Sequence, residues 1–256
     1  MSAPAPKARG SGMLRSTAVF SAMTVLSRIA GYVRDYLQAS IFGASPAVSA
    51  FVVAYRIPNY LRRIFAEGSF SSAFVPVLSE LKQKGDDRAV QDFLDHVAGA
   101  LLAVVIAATA AGMLLSPWIA RLFLLFADES KAGMVDLTAE MLRITFPYLT
   151  FISMTALAGS VLNTYRQFGL PALTPVLHNL GVIAGMLLLA GWLDVPAKAL
   201  AWGVLAAGIL QFLVLWAAMG RRALRPRFRL DFAHAGVRKV GRLMLPTIFS
   251  SSVAQV

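Results

Sequence analysis

The sequence predicts an all-α polytopic membrane protein, and three observations carry that prediction. Hydrophobic residues make up 57% of the 256 positions and charged residues only 14%, with a mean hydropathy of +0.66; a soluble domain usually carries about 25% charged residues. The apolar residues fall in stretches near or beyond the ~20 residues that cross a hydrocarbon core. Basic residues gather in alternate loops, as they do in proteins threaded through a bilayer. The chain has no cysteine, which excludes disulfides, thiol catalysis and cysteine-ligated metals.

The elements follow in order. Residues 1–12, MSAPAPKARGSG, are small, polar and rich in Pro and Gly, and predict a disordered cytoplasmic tail. Residues 13–220 hold six spans. The first, 14–41, carries Arg28 and Arg34 and lacks a small-residue cleavage site, so it is an uncleaved span rather than a signal peptide. The second, 46–81, is interrupted by Pro58 and Gly68. The third, 90–115, ends near Ser116 and Pro117, with a short interfacial piece to Phe126. The fourth, 136–164, has Pro147 as a kink. The fifth and sixth occupy 171–192 and 197–219. Residues 221–236 form a basic cytoplasmic loop, and 237–256 begin a seventh span that stops mid-helix, so the chain is expected to be a fragment.

Charge orients this layout. Fifteen cationic residues lie in the tail and in the loops after spans two, four and six, against only Lys131 and Lys198 in the opposite loops. The N-terminus is therefore expected in the cytoplasm. The stretch RRALRPRFRL, although basic enough for nucleic acid, reads as a topology-setting loop against anionic headgroups; no nucleic-acid partner is expected.

Seven arginines remain within or beside the apolar spans: Arg28, Arg34, Arg56, Arg62, Arg63, Arg121 and Arg143. An arginine at mid-membrane costs at least ~2.5 kcal/mol, so such residues face protein or water. Arg121, Arg143 and Arg56 have a plain explanation in snorkelling toward the interface. Arg63 and Glu67 are four apart and share a helix face, so pairing explains Arg63. Arg28, Arg34 and Arg62 are harder to dismiss. Arg28 and Arg34 lie about 120° apart on a helical wheel and border one broad face. Gly31, between them, permits close approach. Asp35 shares the face of Arg28 but lies ~10 Å along the axis, too far to neutralise it easily. Arg62 follows Pro58, which bends the span. Broken spans are where transporters build substrate sites, and guanidinium groups suit phosphate and carboxylate. These residues predict a cationic cavity for an anionic substrate.

Enzymatic readings are weak. His96, His178 and His234 lie far apart without metal-ligand spacing and read as helix-end or interfacial residues. Asp86, Asp87, Asp92 and Asp95 read as a solvated face. There is no phosphate-binding loop and no nucleophile motif, so neither catalysis nor a cofactor or metal is expected.

Two blocks then carry a family resemblance. Residues 27–80, SRIAGYVRDYLQASIFGASPAVSAFVVAYRIPNYLRRIFAEGSFSSAFVPVLSE, closely resemble the N-terminus of the MurJ/MviN lipid II flippases, within the multidrug and oligosaccharide-lipid exporter superfamily. Residues 144–179, ITFPYLTFISMTALAGSVLNTYRQFGLPALTPVLHN, match a second block. The resemblance implies the six-helix N-terminal lobe of a two-lobe exporter plus the start of the second lobe. It implies transport of lipid II, an undecaprenyl-diphosphate-linked peptidoglycan precursor, across a bacterial inner membrane by alternating access. Arg28, Arg34 and Arg62 fall on arginines essential in the family, and Asn59 is expected to join them in binding substrate. Asp35, Glu67, Gly31, Pro58 and Arg63 are expected in support. Where many relatives have an acidic residue, this chain has Ser49. The rival readings are an exporter of another polyprenyl-linked glycan or a drug, and a non-transporting membrane scaffold.

Overall fold

The computed structural model describes residues 9–62, 69–124 and 133–253, with side chains from 18–62, 69–124 and 133–246. Nine helices run in order among the described residues: α1 (Arg9–Phe42), α2 (Pro46–Arg62), α3 (Ser69–Gln83), α4 (Asp87–Leu124), α5 (Met134–Thr145), α6 (Pro147–Thr164), α7 (Gly169–Leu189), α8 (Lys198–Gly220) and α9 (Ala235–Val253). No strand occurs among those residues.

Local chemistry sets several boundaries. At the start of α2 the Ser45 hydroxyl accepts the Val48 N–H at 3.4 Å, and Pro46 occupies the first helical position, where its missing N–H costs nothing. The Asp86 carboxylate caps α4, accepting from the N–H groups of Arg88 and Ala89, both at 3.0 Å. The fourth expected span divides into α5 and α6 at Pro147, where the kink was expected.

Pro117 does not end its helix. Helix α4 runs through it for 38 residues, to Leu124. Proline removes the bond to the carbonyl four residues back, here Met113. The Ser116 hydroxyl replaces it, donating to Met113 O at 2.9 Å. Thr174 does the same before Pro175, donating to Pro171 O at 2.8 Å within α7. Pro58 likewise leaves α2 unbroken as far as Arg62, while Gly68 lies outside the described residues.

Among the described residues, four segments are long and apolar enough to cross a membrane: Asp87–Leu124, Met134–Thr164, Gly169–Leu189 and Lys198–Gly220. The two parts of the second expected span are short, at 17 and 15 residues. Helix α1 is long, but its arginines and serines dilute its apolar stretch.

Two cores hold the bundle. One gathers side chains of α3, α4, α6 and α8 around Phe70, Phe74 and Phe93, whose rings stack with centroids 5.1 and 5.4 Å apart. The other joins α2, α5, α7 and α8 through Phe51, Leu142, Val182, Met186 and Leu200. Helices α7 and α8 touch backbone to backbone: a Cβ on Gly185 would lie 2.4 Å from Gly203 Cα. Small residues at such contacts are how apolar helices associate in lipid. Helix α1 packs mainly on α7. Its outer side leaves Val25, Ile29, Tyr32 and Tyr36 exposed.

The segment between α8 and α9 is seated on α4. Asp95 is buried, at 3% exposure. Its carboxylate accepts the Arg227 N–H at 2.9 Å and the Gln91 amide at 2.7 Å, and its carbonyl accepts the Arg229 N–H at 3.0 Å. Gly99 makes room for this crossing, because a Cβ there would collide with the Arg229 carbonyl. The expected solvated aspartate face is thus corrected at Asp95, which binds backbone across 132 residues of sequence. Asp95→Ala is expected to leave the Arg227 N–H unmet and to destabilise the fold by about 1–3 kcal/mol. Faster tryptic cleavage at Arg225, Arg227 and Arg229 is the readout; an unchanged cleavage rate would remove Asp95 from this role.

The histidines are also rearranged relative to expectation. His96 and His234 stack, with centroids 4.2 Å apart, beside Asp92. The carboxylate and ring nitrogens of these three residues lie within 4.8 Å of one another. Their hydrogen bonds favour a clasp over a metal site. The Gly236 N–H donates to His234 Nδ1 at 3.2 Å, so the ring proton belongs on Nε2, 3.0 Å from Asp92 Oδ2. A metal at that Nε2 would displace the proton and leave the ring accepting at both nitrogens.

Candidate functional site

The expected arginines divide. Arg34, on α1, reaches α7: its Nη1 donates to Asn179 Oδ1 at 3.0 Å. Asn179 is buried and donates through Nδ2 to Ser27 O at 3.0 Å, so one amide tethers two points of α1. Gly31 faces the same amide, a Cβ there lying 3.5 Å from Asn179 Nδ2, which is ordinary contact rather than a clash. Asp35, expected to lie too far along the axis to neutralise Arg28, takes a nearer partner. Its carboxylate meets its neighbour Arg34 at 2.7 and 3.0 Å. Adjacent helical residues do not normally face one another; the arginine folds back because its far side is held by Asn179.

Arg62 ends α2 and donates through Nε to Asn59 Oδ1 at 3.0 Å. Pro58 is buried beneath them. Arg63 and Glu67 lie outside the described residues, so their expected pairing does too. Arg28 is exposed on α1, away from the pockets that Arg34 and Arg62 line, with no hydrogen bond or ion pair to a described side chain. Ser49 is exposed near the start of α2 and donates to its own helix, to Ser45 O at 3.5 Å.

Two adjoining pockets occupy the bundle, the first between α1, α2, α7 and α8 and the second between α2, α6, α7 and α8. The first, of about 190 Å³, is lined by Arg34, Gln38, Tyr55, Arg56, Asn59 and His178 among others. The second, of about 210 Å³, is lined by Arg62, Tyr148, Thr174, His178, Asn179 and Gln211 among others. Tyr55 and His178 stand between them and line both. Their rings stack, and Tyr55 Oη lies 3.3 Å from His178 Nε2. A larger recess of about 440 Å³ continues past Arg56 and Asn59 to Tyr60 and Phe123. No carboxylate lines any of the three among the described residues. Arg34, whose guanidinium is paired with Asp35, lines the first of these spaces with the exposed Arg56, and the half-buried Arg62 lines the second.

Arg56, expected to snorkel, is exposed and borders two of these spaces. Arg143 donates to Ser116 Oγ at 3.0 Å, and the Arg121 guanidinium lies 5.5 Å over the Trp118 ring. Asn179, Tyr55 and Gln211 were not singled out from sequence, and His178, read there as a helix-end or interfacial residue, lies midway along α7 and lines both pockets. A clue was present for two of them: His178 and Asn179 form a polar pair within an apolar span, just beyond Pro175.

At the first residue of α8, Lys198 anchors the loop before it. Its ammonium lies 2.7 Å from both Glu140 and Asp194, and its hydrogen bond holds the Asp194 carboxyl below the usual carboxylate range. That contribution to stability is present above the ordinary aspartate pKa and fades as pH falls through the lowered value. Lys198→Met is expected to remove it, so that acid unfolding of this loop, followed by hydrogen exchange, loses its pH dependence in that range.

A helical bundle with four apolar segments able to cross a bilayer and an arginine-lined interior is a multi-pass membrane protein. The family model for lipid II flippase MurJ matches residues 38–256. The chain belongs to that family. It is 42% identical over 240 residues to a probable lipid II flippase MurJ of Haemophilus influenzae, covering 91% of this chain and 47% of that protein. It is 42% identical over 252 residues to the lipid II flippase MurJ of Burkholderia cenocepacia, covering 95% and 48%. Among solved structures it resembles lipid II flippase MurJ in an inward closed conformation, with a TM-score of 0.75 and 29% identity over 93% of this chain and 48% of that one. The chain spans about half the length of the curated relatives it matches.

Proposed function

We propose that this chain forms the N-terminal lobe of a lipid II flippase, which moves the polyprenyl-diphosphate-linked peptidoglycan precursor from the cytoplasmic to the periplasmic leaflet of a bacterial inner membrane. The observation that supports this most directly is the pair of adjoining pockets bearing Arg34, Arg56 and Arg62 and lined by no carboxylate among the described residues. A diphosphate matches them in charge and in the geometry of guanidinium donors. The apolar tail remains in lipid while the headgroup enters.

In this reading Arg34 and Arg62 hold the diphosphate, with Asn59 orienting Arg62 and Asn179 and Asp35 orienting Arg34. Arg28, exposed about 9 Å nearer the cytoplasmic end of α1, meets the headgroup on entry. Glu67 and Arg63 act in support beside Arg62, and Pro58 and Gly31 shape the helices that carry these groups. A second lobe supplies the opposite wall, and the two lobes alternate access. An inside-negative potential favours outward movement of an anion by ~2.3 kcal/mol per charge per 100 mV, so no bond-breaking chemistry and no cofactor is required. The basic tail and loops support a cytoplasmic N-terminus.

The test uses cells depleted of their own flippase and supplied with this chain, alone or extended to the relatives' full length. Lipid II accessible at the periplasmic face is quantified. The extended protein is expected to restore access and the chain alone is not. If the extended protein inserts normally and restores nothing, the reading is overturned, and export of a different polyprenyl-linked glycan or a scaffold role takes its place.

A further inference from the structure

The pocket beyond Tyr55 and His178 contains chemistry that a phosphate does not satisfy. Gln211 is 2% exposed. Its Nε2 donates to Thr174 O at 2.6 Å, which fixes the orientation of the amide. Its Oε1 is then a buried acceptor with no partner among the described residues, in a residue that lines the pocket. His178 lines the same pocket; it uses Nε2 toward Tyr55, and its buried Nδ1 has no partner among the described residues.

A carbonyl oxygen only accepts hydrogen bonds, and so does an ionised phosphate. Two acceptors face to face leave both unmet, and a buried unmet acceptor is costly. The complement to Gln211 is a hydroxyl or an amide N–H. His178 Nδ1 donates in one tautomer and accepts in the other, and a hydroxyl meets either. Tyr55 and Tyr148 also line this pocket. Arg62 supplies donors on the side nearest the proposed phosphate position. The volume of about 210 Å³ is roughly seven times that of a water in the liquid, enough for a single sugar ring with its hydroxyls.

We propose that Gln211, His178, Thr174, Tyr55 and Tyr148 form a subsite for a neutral sugar of a polyprenyl-diphosphate-linked glycan, adjoining the phosphate held by Arg34 and Arg62. This rests on the flippase reading above and divides the headgroup between two chemically distinct pockets. The arginines read charge, and the glutamine reads whether a sugar follows the diphosphate.

The experiment measures binding of two probes, lipid II and sugar-free undecaprenyl diphosphate, to the full-length extended protein in nanodiscs. Gln211→Met removes the acceptor at nearly constant volume. His178→Phe removes the second polar wall and keeps the ring stack. Each variant is expected to weaken lipid II binding about tenfold, equivalent to ~1.4 kcal/mol, and to leave undecaprenyl diphosphate binding within about twofold. If Gln211→Met lowers the melting temperature, the decision rests on His178→Phe. Unchanged lipid II binding in a folded variant overturns the subsite and assigns the pocket to water. Equal loss of both probes overturns it as well, because the selectivity is absent. Equal affinity of the unmodified protein for the two probes overturns the subsite while leaving the flippase reading intact. Binding of neither probe overturns both.

Discussion

Replacing Arg62 by alanine in the full-length protein is expected, on the proposed function, to abolish lipid II export while leaving the amount of protein in the membrane unchanged. Truncating one partner of a buried charge pair costs on the order of 2–5 kcal/mol, which is roughly thirtyfold or more in binding. Arg62→Lys keeps the charge but loses the planar fork that matches phosphate, so it is expected to retain partial export. The ratio between the two variants is the informative quantity. If lysine and alanine are equally inactive, bidentate geometry matters more than charge. If both export normally at wild-type protein levels, Arg62 does not contact the anion. Asn59 provides a second reading of the same contact, since its Oδ1 holds Arg62 Nε at 3.0 Å. Asn59→Leu is expected to fall between the two arginine variants in the periplasmic accessibility assay.

The other large effect is structural. Gly185→Val places a side chain where Gly203 Cα and Ala199 O already lie, 2.4 and 3.0 Å from the Cβ position. Both neighbours are backbone, so no rotamer change relieves the collision, and α7 must separate from α8. Overpacking of side chains alone usually costs 1–3 kcal/mol; displacing backbone is expected to exceed that. Because α7 carries His178 and Asn179, the displacement also moves the wall of both pockets. The variant is expected to melt at a markedly lower temperature and to lose export. Gly191→Val is the matched control, since nothing lies within 4 Å of its Cβ position; it is expected to melt as the parent does. Equal behaviour of the two variants would mean that α7 and α8 do not pack this way in the membrane.

Much of the helical layout is legible in the sequence, for a physical reason. Helices α7 and α8 are continuous apolar stretches bounded by polar turns, and their ends lie within three residues of the expected 171–192 and 197–219. What escapes a linear reading is contact across distant sequence. The Ser116 hydroxyl lets α4 continue through Pro117, which composition around a proline does not reveal. Asp95 resembles its three aspartate neighbours until residues 225–229 are laid over it. His96 and His234 are 138 positions apart and meet only because α9 returns to α4.

The site is legible to the same extent. Charge inside an apolar span stands out in sequence, so Arg34 and Arg62 were evident. Their orienting partners were less so, because Asn179 and Gln211 are uncharged and gain meaning only from the groups they face. Arg28 stands out equally in sequence, yet it occupies neither pocket with the other two, since it lies on an exposed part of α1.

The seat on α4 limits how α9 moves. Arg227 and Arg229 are pinned by Asp95, and His234 is clasped to Asp92 immediately before α9 begins at Ala235. Only four residues, 230–233, separate the two fastenings, about 13–14 Å of chain even when fully extended. There is almost no slack from which α9 could slide along the bundle. Lys239 adds a third fastening, 2.7 Å from Glu80 of α3, and Val240 is buried in the core with α3 and α4 side chains, so α9 moves with α3 while these contacts hold.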